Sequence, residues 1–557
     1  MLKFKKKLVF IFDTILIYFK YRQLNKNLFY KKNNKNNGTI LVEFNAFCVS
    51  HIFFSYLSNF LGNKFNSNIE AFYNNHLVSS NLHRSYISKL KWTLGSLLNL
   101  RTFGIYKSFG VKKFINPEIS NQIRSKSLIL SKNIFDKIEK KEDILKIKID
   151  NVIFGDLIYD GVRKFYLTGE FDYNDHRFKR YLEDFICIYF FWKDFFKKNK
   201  IHALIGVHLT YSYGIIFRVA KINKVQRFVV FEGRIIKVQG DHYDLGFKNY
   251  RKYFNRLSNN DKKKGIELGK RLVKKRFSGA TGKDIKQYYA NKSIFAVSKK
   301  NKKRIFLKNN KIKILILTHN YLDCINAYEK SIFPDFVEWT KYLGEIAKDT
   351  KFDWYIKDHP PFKDKFKKYQ PLWYNETSHI IKKYPNLNLI SNNSSPFQLA
   401  KEGLSAIVTM YGSVSFEYPH LGIPVISTAK NTPTMGYKFN EFCYTKLEII
   451  KKINRIKKIS KKFSQEDIYE FYFMHFIYSS PLIFMSFYDK FFQKYKKWDL
   501  LFTSTFYKFW LSNWTKEIHD EINLTLSNFI KSNDIVLNIN HNNKYKNKLL
   551  NNNLTKN

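Results

Sequence analysis

Apolar and polar positions along the chain form two blocks in which short apolar runs alternate with helix-like stretches. The first block opens at Thr39-Ile-Leu-Val-Glu-Phe44, after an Asn/Lys/Gly turn, and continues through residues 69–73, 203–207 and 228–231. The second block is more regular. Runs suited to buried strands at 312–317, 354–357, 387–390, 406–410 and 424–427 are separated by helical stretches at 334–348, 377–384, 396–402 and 414–421. Strands that alternate with helices at this spacing form βαβ units around a parallel sheet. The expected fold class is α/β: two Rossmann-like domains, at 38–300 and 311–446, facing a cleft at the carboxyl ends of their strands. Residues 249–311 are Lys-rich and poor in large apolar clusters after Leu272, and read as helices followed by a linker.

The two ends of the chain differ from the middle. Lys3, Lys5, Lys6 and Lys7 precede an apolar run at 8–18 that Asp13 interrupts. No small-residue cleavage site follows, as a secretory leader requires, and about a dozen residues are too few to span a bilayer. Residues 1–30 are expected to form a basic amphipathic segment, either lying on an anionic membrane surface or packed as an ordinary first helix. A second apolar stretch, 471–488, is broken by His475, Ser479, Ser480 and Pro481. It reads as a buried or interfacial helical pair within a helical extension at 447–537. The Asn/Lys-rich end, 538–557, reads as a disordered tail.

Charge adds one possibility and removes another. The 557 residues carry 97 Lys plus Arg against 46 Asp plus Glu, a net +51. Such a surplus suits an anionic partner, although Lys, Asn, Ile, Phe and Tyr are abundant together, as a compositional bias alone would make them. The lysines are scattered, and neither an RNP sequence nor a paired Cys/His finger occurs, so no nucleic-acid partner is expected. Cys48, Cys187, Cys324 and Cys443 stand far apart with no CxxC pair. That excludes a zinc ribbon or thiol redox motif and fits reduced thiols in a cytosolic compartment.

Two loops carry candidate chemistry. Ser278-Gly-Ala-Thr-Gly-Lys283 lacks the spacing of a phosphate loop, and no GxGxxG follows the first strand, so neither a nicotinamide nor a flavin cofactor is expected. Lys357-Asp-His-Pro-Pro361 follows a strand directly, which puts His359 at the strand's carboxyl end. An imidazole there can donate to a phosphate or a sugar hydroxyl; the plainer reading is a loop histidine without a ligand. In Ala406-Ile-Val-Thr-Met-Tyr-Gly-Ser-Val-Ser-Phe-Glu417 a strand runs through a Gly-Ser turn into a helix. Backbone N–H groups at Gly412 and Ser413 would face an anion. Glu417, one turn on, can accept from ribose hydroxyls or simply complement the helix dipole.

Taken together, Lys-x-His-Pro and, some fifty residues later, Thr-x-Tyr-Gly-Ser-x-x-x-Glu-x-x-x-x-Gly-Ile-Pro-Val-Ile resemble bacterial GT-B glycosyltransferases. The likeness is to those that build capsule and surface polysaccharides, including transferases of CMP-activated ulosonic sugars. It spans 311–446 and, through strand–helix order, 39–231. The resemblance implies a nucleotide-sugar donor on the second domain and a saccharide or lipid-linked acceptor on the first. His359 and Ser413 carry over as nucleotide contacts. An acidic pair followed by Gly supplies the base in CMP-sugar transferases of this fold; here Phe231-Glu232-Gly233 keeps only the second acidic position. Teichoic-acid-type glycerophosphotransferases share the His-Pro and a Tyr-Ser-Ser-type turn, which here is Tyr411-Gly412-Ser413.

The expected protein is thus a cytoplasmic glycosyltransferase, peripheral to the inner face of the cell membrane, which its basic N-terminal segment would touch. Glu232 is the expected base, with Asp241 and His208 as alternatives. Lys357, His359, Gly412, Ser413 and Glu417 are expected to bind the donor, and His359 to stabilise the leaving phosphate. No DxD-type site stands at a strand end, so no metal is expected. A glycerophosphotransferase on the same fold, or a non-catalytic envelope scaffold, are the alternatives.

Overall fold

Runs such as Ile40-Leu-Val42 and Ile314-Leu-Ile316 are fully buried, as parallel strands covered by helices on both faces must be. β1 (Thr39–Phe44), β2 (Asn68–Tyr73), β3 (Val111–Ile115), β4 (Ile201–Gly206), β5 (Gln226–Phe231) and β6 (Arg234–Lys237) form one sheet, ordered β3-β2-β1-β4-β5-β6. β7 (Lys313–Leu317), β8 (Asp353–Lys357), β9 (Leu387–Ile390), β10 (Leu404–Thr409), β11 (Val425–Ser427) and β12 (Asn440–Phe442) form the second, ordered β9-β8-β7-β10-β11-β12. Within these two sheets all pairings between described strands are parallel except β5 with β6. The computed structural model describes residues 2–29, 37–82, 85–231, 234–280, 294–297, 303–359, 370–459, 463–479, 482–495, 497 and 499–552. The fold is therefore the expected pair of Rossmann-like domains, each reversing its strand order beside the central strand, β1 or β7. That is where such sheets bind ligands.

Several elements depart from the sequence expectation. β3 was not foreseen, because Lys112 and Lys113 face solvent on an edge strand and interrupt its apolar pattern. The helix expected over 414–421 is a four-residue turn, Val414–Glu417, followed by a tighter turn, Pro419–Leu421. Pro419 has no N–H to continue the helical ladder. The end of the chain is not disordered as far as it is described. Asn538 caps the turn Ile539–His541, a helix runs Asn543–Asn552, and Ile539 and Leu550 are buried. Lys546 pairs with Asp261 at 2.6 Å. Two apolar anchors among many asparagines are enough to dock the segment.

The helical extension splits between the two domains. Lys446–Asn454 stays with the second, burying Ile449 and Ile453. From Gln465 onward the chain packs into the first domain's core, through Phe471, Phe473, Phe506, Trp510 and Phe529. The crossing is made by Gln465–Phe473 lying on Asn259–Phe277. Two glycines one turn apart allow it: a Cβ on Gly265 would meet Phe473 at 2.9 Å, and one on Gly269 would meet the Tyr469 carbonyl oxygen at 1.9 Å.

Leu2–Phe29 is one helix. Its second half is an ordinary packed helix: Tyr21 is buried and stacks on Tyr507 at 4.2 Å, and Asn25 donates to Ser108 Oγ at 3.1 Å. No helix among the described residues is long and apolar enough to cross a membrane.

The return crossing gives a stability prediction. Gly269→Ala drives a methyl into backbone, which cannot yield as a flexible side chain does. It should destabilise the protein by about 1–3 kcal/mol, read as a lowered denaturant midpoint. Gly403→Ala is no control, since Gly403 has φ +91°; Gly240→Ala, with nothing within 4 Å of the added Cβ, should leave the midpoint nearly unchanged.

Candidate active site

In the second domain the residues following β7, β8 and β10 are tied to one another. The Thr318 N–H donates to the Lys357 carbonyl at 3.1 Å, and the His359 N–H donates to Thr318 Oγ1 at 3.0 Å. The Tyr411 N–H donates to His319 Nε2 at 3.0 Å. That bond makes Nε2 an acceptor, so the ring proton of His319 sits on Nδ1. The imidazole stacks on Phe336, with centroids 4.8 Å apart. Burial, aided by nearby His359, pushes the His319 pKa down to about 3, so the ring is neutral at pH 7.

Gly412 and Ser413 lie between β10 and the Val414–Glu417 turn. A Cβ on Gly412 would come within 2.9 Å of Val414 Cγ2 and 3.3 Å of Thr409 Oγ1, so a side chain at this reversal would crowd its neighbours. The N–H groups of Ser415, Phe416 and Glu417 turn back to the carbonyls of Gly412 and Ser413. Those of Gly412, Ser413 and Val414 make no hydrogen bond to another described residue. Successive N–H groups in this conformation form a concave donor set that suits an anion.

Behind this turn lies a buried charged group. Glu417 is 4% exposed and accepts from Arg276 Nε at 2.8 Å and Nη2 at 2.5 Å. Its carboxylate is thus occupied by a guanidinium from the first domain's Asn259–Phe277 helix. Lys357, at the end of β8, donates to the Ser394 carbonyl at 3.0 Å. Burial lowers its pKa to about 8, with Glu417 pulling the other way. Asp358 accepts from the Thr377 hydroxyl, and burial raises it to about 6. Pro360 and Pro361 lie outside the described residues.

The first domain contributes a second row. His208 follows β4 and its Nδ1 lies 3.0 Å from the Tyr243 hydroxyl, which also accepts from the Leu209 N–H. Burial, then the proximity of His76, lowers His208 to about 4. Glu43, within β1, is 1% exposed. Its Oε2 accepts from the Val207 N–H at 3.1 Å, while Oε1 is buried without a hydrogen-bond partner. Burial raises this carboxyl to about 7. Asp241 pairs with Lys221 at 2.9 Å, and the preceding Gln239 and Gly240 carbonyls accept from Arg227 near the amino end of β5. Glu232 and Gly233 fall outside the described residues. Their neighbours do not: Phe231 pairs with Arg234, whose guanidinium donates to the His475 carbonyl at 3.2 Å. The His475 ring lies 6.0 Å from Phe416 in the Val414–Glu417 turn.

The two rows meet because the 318–335 loop reaches into the first domain. The Tyr243 N–H donates to the Ala327 carbonyl at 3.0 Å. From the helix Gly155–Tyr166, the Tyr159 hydroxyl donates to Asp335 at 2.5 Å, Asp160 accepts from the Asn326 side chain at 3.2 Å, and Arg163 donates to the Tyr321 carbonyl. His208 and His319 therefore belong to opposite walls of one seam.

Sequence reasoning missed Glu43 and His319. Each had a signal. Glu43 is a carboxylate inside an apolar run, and His319 follows β7 as His359 follows β8.

No family model matches the chain, and no curated protein does. Among solved structures it is similar to the UDP-GlcNAc 2-epimerase of Methanocaldococcus jannaschii in complex with UDP-GlcNAc and UDP, at 13% identity, covering 78% of this chain and 97% of that one, with a TM-score of 0.22. The UDP-GlcNAc 2-epimerase of Neisseria meningitidis bound to UDP-GlcNAc gives 10%, 78%, 97% and 0.23. The N-terminal domain of trehalose-6-phosphate phosphatase from Candida albicans gives 9%, 80%, 97% and 0.26. Likenesses this distant assign no activity, and the two doubly wound sheets stand on their own strand order.

Glu43 supplies a pH prediction. A carboxyl whose folded pKa is raised to about 7 favours the fold while protonated, and that contribution fades as pH rises from the unfolded value, roughly 4.3, through 7. Glu43→Gln should therefore be about as stable as wild type at pH 4.5 and more stable at pH 8, by roughly 4 kcal/mol at most. Chemical denaturation at both pH values measures this; an equal difference at both would mean that Glu43 does not titrate with folding.

Proposed function

We propose that the chain is a GT-B-like glycosyltransferase that moves a sugar from a nucleotide-sugar donor to a growing surface polysaccharide or lipid-linked acceptor. The observation that carries this reading is the turn at 411–414. Three N–H groups without a described partner stand at the end of β10, beside His319 and close to the His359 and Lys357 strand end. An anionic leaving group seated there would meet backbone donors, an Nδ1–H from His319 and the positive Lys357. Donors fixed before charge develops cost no reorganisation during reaction. Glu417 then acts through Arg276, holding the turn against the first domain, rather than by accepting from ribose.

The acceptor would enter on the first-domain wall. Glu232 is the proposed base, since the Arg234–His475–Phe416 chain of contacts brings the end of β5 toward the donor turn. His208, neutral at pH 7, stands on the same wall as an alternative; Asp241, the other alternative, is engaged by Lys221. A CMP-linked donor would fit the resemblance of the motifs, and the enzyme would work at the cytoplasmic face of a membrane.

Three measurements test the reading. Thermal shift with CMP, UDP and CDP-glycerol should show stabilisation by a nucleotide: CMP points to an ulosonic sugar, CDP-glycerol to glycerophosphate transfer, and none of the three to a scaffold. His359→Ala should lower turnover about 10²–10³-fold, the loss expected for one transition-state donor, without changing the melting temperature; unchanged turnover removes it from the mechanism. Glu232→Gln should abolish transfer while nucleotide affinity stays near wild type. Continued transfer would move the base to His208 or Glu43.

A further inference from the structure

The helix Tyr86–Leu97 and the turn after it present an apolar face to solvent. Tyr86 is 81% exposed, Ile87 63%, Leu97 70% and Leu98 63%, and Leu90, Leu94 and Leu100 are exposed as well. A water-facing helix ordinarily shows polar residues there, and a contiguous apolar patch of this size marks a contact surface. The inner face is firmly anchored. Trp92 packs edge-on against Phe44 at 5.1 Å, Tyr73 at 5.5 Å and Phe103 at 5.0 Å, so the outer leucines are not a core face turned the wrong way.

Along the chain that carries this face the charge has one sign, with Glu70 beside Lys113 across the strand pair at its margin. Between Glu70 and Glu118 no acidic residue occurs, while seven Lys or Arg do. Lys89 and Lys91 are exposed on the helix, Arg101 follows it, and Lys112 and Lys113 are exposed on β3. A second exposed apolar set, Ile15, Leu16 and Phe19, lies one to two turns before Arg22 on the Leu2–Phe29 helix. Arg22 itself lies against the Asn99–Gly104 segment that follows the leucines.

We propose that this face is the membrane-docking surface of the protein, seated on an anionic bilayer with Ile87, Leu90, Leu94, Leu97 and Leu98 in the acyl boundary and the lysines at the headgroups. Leucine flanked by lysine favours lipid over a protein partner, because protein interfaces are depleted in Lys and enriched in Tyr, Trp, Met and Arg. The placement also gives the docking a purpose. Phe44 and Tyr73, on which Trp92 rests, end β1 and β2, so the bilayer would lie against the carboxyl edge of the first sheet. There a lipid-linked acceptor would pass from membrane to seam. That last step rests on the glycosyltransferase reading; the docking itself does not.

The test is flotation of the full chain with vesicles of phosphatidylglycerol and phosphatidylethanolamine, and with vesicles of neutral phosphatidylcholine. Wild type should float with the anionic vesicles and be released as salt is raised. Leu94→Gln/Leu97→Gln/Leu98→Gln should lose at least tenfold in vesicle affinity while its melting temperature and nucleotide-induced thermal shift stay at wild-type values, since these side chains touch solvent. Lys89→Glu/Lys91→Glu should weaken anionic binding more than neutral binding. Vesicle binding by the triple variant equal to wild type would overturn the proposal. So would a wild-type dimer in sedimentation that the triple variant converts to monomer, because the face would then belong to a second copy. Loss of nucleotide response with docking intact would instead count against the glycosyltransferase reading alone.

Discussion

A buried guanidinium holds the two domains in register. Arg163, 1% exposed, donates to the Gly169 carbonyl at 2.8 Å, to Asp160 at 3.3 Å, and across the seam to the Tyr321 carbonyl. Asp160 in turn accepts from Asn326, and Tyr159 binds Asp335. A charge taken out of water is tolerated only while its partners stay in place, and breaking such a network costs about 3–5 kcal/mol. Both ends of the 318–335 loop are therefore fixed to the helix Gly155–Tyr166. The start of that loop is the His319 turn, so the same network that joins the domains also sets one wall of the seam against the other.

Desolvation then decides the protonation states inside. His319 and His208 are pushed to about 3 and 4 by burial and are neutral, Lys357 falls to about 8, and Glu43 rises to about 7. The seam carries less charge than its composition implies. A phosphate-bearing ligand would meet oriented neutral donors and one soft cation, an environment that stabilises charge appearing during a reaction more than charge already present. Meanwhile Glu417, which reads from the sequence as a ligand contact, spends its charge on Arg276 and helps fix the turn.

Much of the second domain was legible because its strands are unbroken apolar runs and its loops carry turn residues. The first domain was harder to read. β3 carries two adjacent lysines between apolar residues at an edge, and the carboxylate of Glu43 hides within the run that defines β1. The site was legible where a motif marked a tight turn, as at Gly412, where a Cβ would crowd Val414 and Thr409. It was not legible where position depends on tertiary contact. Nothing in the local sequence tells that His319 accepts from Tyr411, or that Asp241 turns toward Lys221. The leucines of Tyr86–Leu97 have the spacing of a core helix, and only the fold reveals that Trp92 takes the inner side and leaves them in water.

The central claim is that the 411–414 turn and the His319 strand end together receive the nucleotide. Amide hydrogen exchange of the full chain, with and without a nucleotide that binds it, tests this directly. Slower exchange at Gly412, Ser413 and Val414, and at residues 318–320, is the predicted result. Nucleotide binding that leaves these amides unchanged while protecting another part of the chain would contradict it.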